Sequence, residues 1–161
     1  MKLHSPSRHR ARGYPQLFRS VVLVFLVAIL ATPLRAQAGP IGFWRTVSDV
    51  DGKPTAVIEI SKSGGYLVGT VRELLVSVDS ADRFCRQCTG SRKGQPILGM
   101  QILWGMRPDG DEWNGGAILD PDNGRIYKAK MRLIDDGKKL IVRGFIGFSF
   151  LGRSQTWTRV E

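Results

Sequence analysis

The sequence predicts an all-β fold, an antiparallel meander that closes into a small eight-stranded barrel. Apolar and polar residues alternate with a period of two over much of residues 41–160, and tight-turn signals separate the alternating segments at short intervals. Of the 19 glycines, only Gly13 precedes residue 39, and several of the others fall inside alternating segments. Glycines inside strands mark bends and bulges, which a small closed barrel requires.

The strands can be placed in order from the alternation and the turns. The eight predicted strands span residues 41–48, 55–61, 66–75, 97–104, 112–119, 125–134, 139–146 and 154–160. The sixth is the clearest, because Tyr127, Ala129 and Met131 fall on one face while Lys128 and Lys130 fall on the other. Short turn sequences at 51–54, 63–65, 108–111, 120–124 and 135–138 separate most neighbours. Short strands joined by such tight turns predict an antiparallel meander.

The first 38 residues are a different kind of polypeptide. Six basic and no acidic residues lie there, with an uninterrupted apolar run over 21–31 and the small-residue sequence Ala36-Gln37-Ala38 at the end. This order is typical of a cleaved secretory signal, and no arginine pair marks the twin-arginine route. The apolar run is shorter than the about 20 residues that span a bilayer. We expect Sec-type export, cleavage after Ala38, a periplasmic or secreted location and no stable membrane insertion.

Charge and histidine content exclude several classes of function. The whole chain carries a formal charge of +10, but residues 39–161 hold 18 basic and 14 acidic residues, so nucleic acid is not an expected partner. Both histidines, His4 and His9, lie in the predicted signal. The remaining domain therefore has no Ser-His-Asp, Cys-His or histidine-based metal site. We expect a protein that is not an enzyme and has no cofactor or metal.

A long, highly charged loop over about 76–96 interrupts the meander and contains Cys85 and Cys88. In an exported protein two cysteines predict a disulfide, which would pin this loop. One alternative is a redox-active Cys-x-x-Cys pair, although such pairs belong at a helix N-terminus in a βαβ unit. Another is a protein-interaction module in the cell envelope that uses the loop, since long loops in compact domains are often functional.

Aromatic residues and one arginine are the candidates for ligand binding. Trp104, Trp113 and Tyr127 lie in or beside predicted strands, where most aromatics form core and some line a cavity. Arg143 interrupts the mostly apolar segment 140–145. An inward arginine there would meet an acidic ligand, whereas an outward one would face solvent or an ion-pair partner. The candidate ligand is therefore a small apolar or acidic molecule.

The two ends of the domain resemble the calycin signature. Gly42-Phe43-Trp44 opens the domain, and Trp157-Thr158-Arg159-Val160 closes it. The resemblance implies that Arg159 on the last strand packs over Trp44 on the first strand, as a barrel-closure pair.

A longer set of motifs resembles the bacterial domain-of-unknown-function family 2147. The motifs are Gly42-Phe43-Trp44, Cys85-Arg86-Gln87-Cys88-Thr89-Gly90, the 93–99 run, 116–121 with Asn123-Gly124 and Tyr127, Val142-Arg143-Gly144 and residues 152–160. The resemblance implies an exported, lipocalin-like barrel and transfers no catalytic residues. Together with the barrel prediction, it favours a non-catalytic module of the cell envelope that either binds a small ligand or is structural.

Overall fold

The computed structural model describes residues 39–75 and 83–160. The predicted signal over 1–38 and the first part of the long loop, 76–82, lie outside the described residues, as does Glu161. No helix in the described part of the chain is long and apolar enough to cross a membrane.

Eight antiparallel strands form a closed barrel in the order of the sequence. They are β1 Gly42–Val47, β2 Pro54–Ser63, β3 Tyr66–Leu74, β4 Gln101–Asp109, β5 Glu112–Asp120, β6 Arg125–Ile134, β7 Lys139–Phe145 and β8 Gly152–Arg159. β1 pairs with β8 through Trp44 opposite Arg159 and Arg45 opposite Thr158, which closes the sheet. The all-β meander and its closure into an eight-stranded barrel are confirmed.

Strand β4 differs most from its predicted bounds. The sequence predicts 97–104, whereas β4 runs from Gln101 to Asp109. Pro108 lies opposite Trp113 at the hairpin end of the strand, where its missing N–H is tolerated, so it does not end the strand. Gly105 in β4 and Gly115 in β5 both have positive φ. This backbone conformation interrupts the alternation of inward and outward side chains at these two positions.

The two ends of the barrel differ in their connections. At the closed end lie the start of β1, the end of β8, the β2–β3 and β4–β5 hairpins and a 3₁₀ turn at Asp135–Gly137. At the open end lie the 48–53 turn, the described part of the connection from β3 to β4, the 121–124 turn and the 146–151 loop. Buried side chains fill the barrel towards the closed end, and the main ones are Trp44, Ile60, Leu67, Met106, Met131 and Leu140.

Candidate functional site

A cavity of about 1110 Å³ occupies the other half of the barrel and faces the open end. Every strand contributes to its wall, and the apolar wall residues include Ile58, Val71, Ile102, Ile118 and Val142. Ligand sites for small molecules typically measure about 300–1,000 Å³ and have mainly apolar walls. The space therefore suits one small, largely apolar molecule.

A ladder of polar side chains runs up the cavity wall along β8. Trp157 donates its indole N–H to Gln155 Oε1 at 3.0 Å, and Gln155 donates in turn to Asp49 Oδ2 at 2.8 Å. Arg153 pairs with the same carboxylate oxygen at 2.9 Å. Because residues two apart on a strand face the same side, β8 aligns these three side chains. Asp49, from the 48–53 turn, joins them across the mouth of the cavity.

The cations at the mouth are all held by acidic neighbours. Three ion pairs lie among the described lining residues, and they are Lys53–Asp51, Arg83–Asp122 and Arg153–Asp49. Hydrogen bonds from Ser48 and from the Lys53 backbone lower the pKa of Asp51, so this carboxyl stays ionised at neutral pH. The mouth is therefore polar but offers no unpaired cation among these residues.

The disulfide loop, residues 83–97, lies beside the open end. Cys85 and Cys88 are bonded to each other and are both buried. The loop folds back on itself through hydrogen bonds from Cys85 N to Gln95 O and from Ile97 N to Arg83 O, each 2.9 Å long. Although the segment is highly charged, both cysteines and Ile97 belong to the hydrophobic core.

The disulfide loop docks on the β5–β6 turn. A Cβ on Gly124 would overlap the backbone of Gln87, so only glycine permits the two segments to lie this close. Arg83 also reaches Asp122 on the same turn. Two motifs that lie far apart in the sequence, 85–90 and 120–124, thus form one substructure at the rim of the cavity.

The closed end is organised by Arg159. Its guanidinium carbon lies 4.2 Å from the centre of the Trp44 ring. The same group donates hydrogen bonds to the carbonyl oxygens of Gly137, Ile41 and Gly39 at 2.8, 3.1 and 2.7 Å. Trp44 donates its indole N–H to Pro40 O at 2.7 Å. Burial lowers the pKa of Arg159, but an arginine remains charged at any physiological pH.

The structure places the four predicted ligand-binding candidates in different surroundings. Tyr127 lines the cavity, and its hydroxyl accepts a hydrogen bond from Asn123 at 3.2 Å. Trp113 and Trp104 are half-buried and pack against the core, and the guanidinium of Arg92 lies 4.8 Å from the centre of the Trp104 ring. Arg143 lies on the outer face of β7, where it binds Ser149 O, Phe150 O and Ser154 Oγ. Only Tyr127 therefore reaches the cavity.

The polar ladder is the part of the site that the sequence analysis missed. Gln155 and Asp49 are 106 positions apart, and nothing local joins them. A signal was nevertheless present on one side of the contact. Gln155 and Trp157 face the same side of the predicted strand 154–160, and Arg153 lies two positions before Gln155, directly ahead of that strand.

The chain is similar to known proteins both in sequence and in fold. The family model described as "Uncharacterized protein conserved in bacteria (DUF2147)" matches residues 42–159. Among solved structures, protein HP1028 from Helicobacter pylori, described as belonging to the lipocalin family, is similar with a TM-score of 0.67. The two chains are 13% identical, and the match covers 77% of this chain and 84% of that chain. At this identity the similarity shows a shared lipocalin-like barrel fold. No curated protein matches the chain significantly.

Proposed function

From the membership of this chain in the DUF2147 family and from its lipocalin-like barrel, we propose a non-catalytic binding protein whose cavity holds one small apolar ligand. The proposal rests on one observation, namely that one half of the barrel interior is filled by side chains and the other half is not. Core residues fill the closed half, whereas the open half keeps a cavity of about 1110 Å³ with contributions from all eight strands. Burial of apolar ligand surface against this wall supplies the binding free energy, at about 25 cal/mol for each Å² removed from water.

The ligand of this proposal has an uncharged polar end. Gln155, Asn123 and the Tyr127 hydroxyl lie along the wall and at the mouth, and each offers hydrogen-bonding atoms. An anionic end would have to separate one of the mouth ion pairs, because Lys53, Arg83 and Arg153 already contact carboxylates. Since a broken pair leaves a charge without its partner, a neutral ligand is favoured over the acidic one that an inward Arg143 would have recognised.

The cysteine pair is assigned a structural role in this proposal. Thiol–disulfide exchange requires a thiolate to approach a sulfur atom directly. Cys85 and Cys88 retain 0% and 3% of their accessible surface, and the loop that contains them is docked on Gly124. The burial of both sulfurs supports a disulfide that shapes the rim of the cavity rather than a redox centre.

We further propose that the protein works outside the cytoplasm, in the periplasm or beyond it. The support is the order of basic, apolar and small residues in 1–38, together with a disulfide in the folded domain. A reducing cytoplasm would not maintain such a bond as readily as an oxidising compartment does.

Titration with an environment-sensitive apolar fluorophore tests the binding proposal. Val142→Phe places a larger side chain in the cavity, whereas Ile141→Phe makes a comparable change on the outer face of the same strand. We expect the wild type and Ile141→Phe to bind the probe alike, and Val142→Phe to bind it about tenfold more weakly or not at all. Equal binding by the two variants, or no binding by the wild type, would overturn the proposal.

A further inference from the structure

The loop between β7 and β8, residues 146–151, is the most apolar exposed segment in the described part of the chain. Its Ile146, Phe148, Phe150 and Leu151 side chains are 61%, 69%, 74% and 64% exposed. The rings of Phe148 and Phe150 stack with their centroids 5.6 Å apart. Soluble domains rarely expose several large apolar side chains side by side unless the patch contacts a partner. We call this segment the apolar loop.

Arg143 holds the apolar loop in its exposed position. The guanidinium donates to Ser149 O at 2.6 Å, to Phe150 O at 3.1 Å and to Ser154 Oγ at 2.8 Å. Leu151 N closes the turn on Phe148 O at 3.0 Å. With these backbone groups already hydrogen-bonded, the loop can leave water at a smaller penalty than an unpaired loop would incur.

The apolar loop joins the cavity to the outer surface. Ile146 and Leu151 line the cavity, whereas Phe150 lies in a shallow outer groove with Arg143 and Lys130. Val50, on the neighbouring 48–53 turn, is also almost fully exposed at this end of the barrel. Apolar side chains therefore surround part of the entrance through which a ligand would pass.

Basic side chains flank the apolar loop on the outer face of the barrel. Lys128 is opposite Phe145 at the end of β7, and Lys130 is opposite Arg143. Of the cations that alternate along this face of β6, only Lys130 pairs with a described acid, namely Glu112 at 3.3 Å, and Lys128 and Arg132 have no such partner there. An apolar tip beside a row of cations complements a bilayer that contains anionic lipids.

We propose that the apolar loop docks the open end of the barrel on the surface of a bilayer containing anionic phospholipid. Phe148 and Phe150 enter the boundary between head groups and acyl chains, while Lys128, opposite Phe145 at the base of the loop, faces the head groups. A second copy of the chain fits this surface less well, because two apolar loops in contact would bring the cations of both copies together. This proposal does not depend on ligand binding in the cavity. If the loop docks in this way, the cavity opens towards the membrane.

Depth-dependent quenching by brominated phospholipids tests this proposal on the full chain. A tryptophan introduced by Phe148→Trp reports on the apolar loop, and one introduced by Phe43→Trp reports on another exposed phenylalanine, on β1 at the closed end. We expect brominated anionic vesicles to quench the added emission of Phe148→Trp and to leave that of Phe43→Trp unchanged. Equal quenching of both variants, or no quenching of either, would overturn the proposal. This holds even if another segment of the chain binds the vesicle, because the two tryptophans report on the two ends of the barrel.

Two further measurements distinguish a bilayer from a second copy of the chain as the partner of the apolar loop. Phe148→Ser combined with Phe150→Ser should lower the affinity for anionic vesicles about tenfold or more, whereas Phe43→Ser should not. Lys128→Gln should reduce the salt dependence of binding, because it removes a charge that faces the head groups, whereas Arg132→Gln at the closed end, opposite Glu112, should not. A concentration-dependent blue shift of the Phe148→Trp emission without vesicles would contradict bilayer docking and identify a second copy as the partner.

Discussion

Gly42 lies under the guanidinium of Arg159, and a Cβ at position 42 would be 2.9 Å from Arg159 Nη1. The φ of Gly42 is +134°, in the range that favours glycine. The two ends of the domain therefore fit together because one residue lacks a side chain where the other places its charge. The Gly-x-Trp sequence at 42–44 combines this space with the ring of Trp44, which Arg159 covers.

Replacing Arg159 by Ala should lower the free energy of unfolding by about 1–3 kcal/mol, since it removes a cation–π contact and three hydrogen bonds to backbone carbonyls. Urea unfolding followed by tryptophan fluorescence measures the change. Arg45→Ala is the matched control, because Arg45 is an exposed arginine on β1 with no ion pair among the described residues. Equal stability of the two variants would contradict the role given to Arg159.

Gly42→Ala should destabilise the barrel by about 1–3 kcal/mol through backbone strain and contact with Arg159. Gly39→Ala is the control, since nothing lies within 4 Å of the position its Cβ would take. In a double-mutant cycle, Arg159→Ala should relieve the steric part of the loss at position 42. Strict additivity of the two substitutions would show that the close approach has no energetic consequence.

Cys85→Ser with Cys88→Ser should leave the barrel folded and lower its stability by about 2 kcal/mol, because the bridge closes a very short loop. Trypsin should cut faster after the exposed Arg86 and Lys93, since local opening governs cleavage. Cleavage after Lys62, in the β2–β3 region, serves as an internal control. Unchanged cleavage of the loop together with loss of a disulfide-exchange activity would favour a redox role instead.

Gly124→Ala should release the disulfide loop from the β5–β6 turn, because the new Cβ would overlap Gln87. Gly110→Ala introduces similar backbone strain in another hairpin, where the Cβ would meet nothing within 4 Å. We expect Gly124→Ala to be the less stable variant by about 1 kcal/mol or more, with faster trypsin cleavage in 83–97. Equal stability and equal cleavage would show that the docking is loose.

The sequence predicts strands where one face is apolar and the other charged. The bounds of β6 agree at both ends, because Tyr127, Ala129 and Met131 alternate with lysines. The direction of Arg143 was not predictable, since Leu140 to Val142 are apolar on both faces of β7. There the alternation gives no sign of which side is inward, and only the paired register with β6 and β8 fixes it.

Contacts between distant segments account for the remaining differences. The Asn123-Gly124 turn was predicted as a hairpin turn. Its close contact with the disulfide loop could not be predicted, because it depends on Gln87, which lies far away in the sequence. Likewise, Asp49 joins the polar ladder only once the 48–53 turn and β8 have met at the open end. Periodicity reports the face of a strand, whereas such contacts depend on the closure of the whole barrel.

Native mass spectrometry of the protein purified from the bacterium that makes it tests the binding proposal most directly. We predict that the wild type and Ile141→Phe carry a small apolar, uncharged molecule that organic solvent extracts, and that Val142→Phe carries much less of it. Wild-type protein that is free of any small molecule, and that takes up no apolar compound when offered one, would contradict the account.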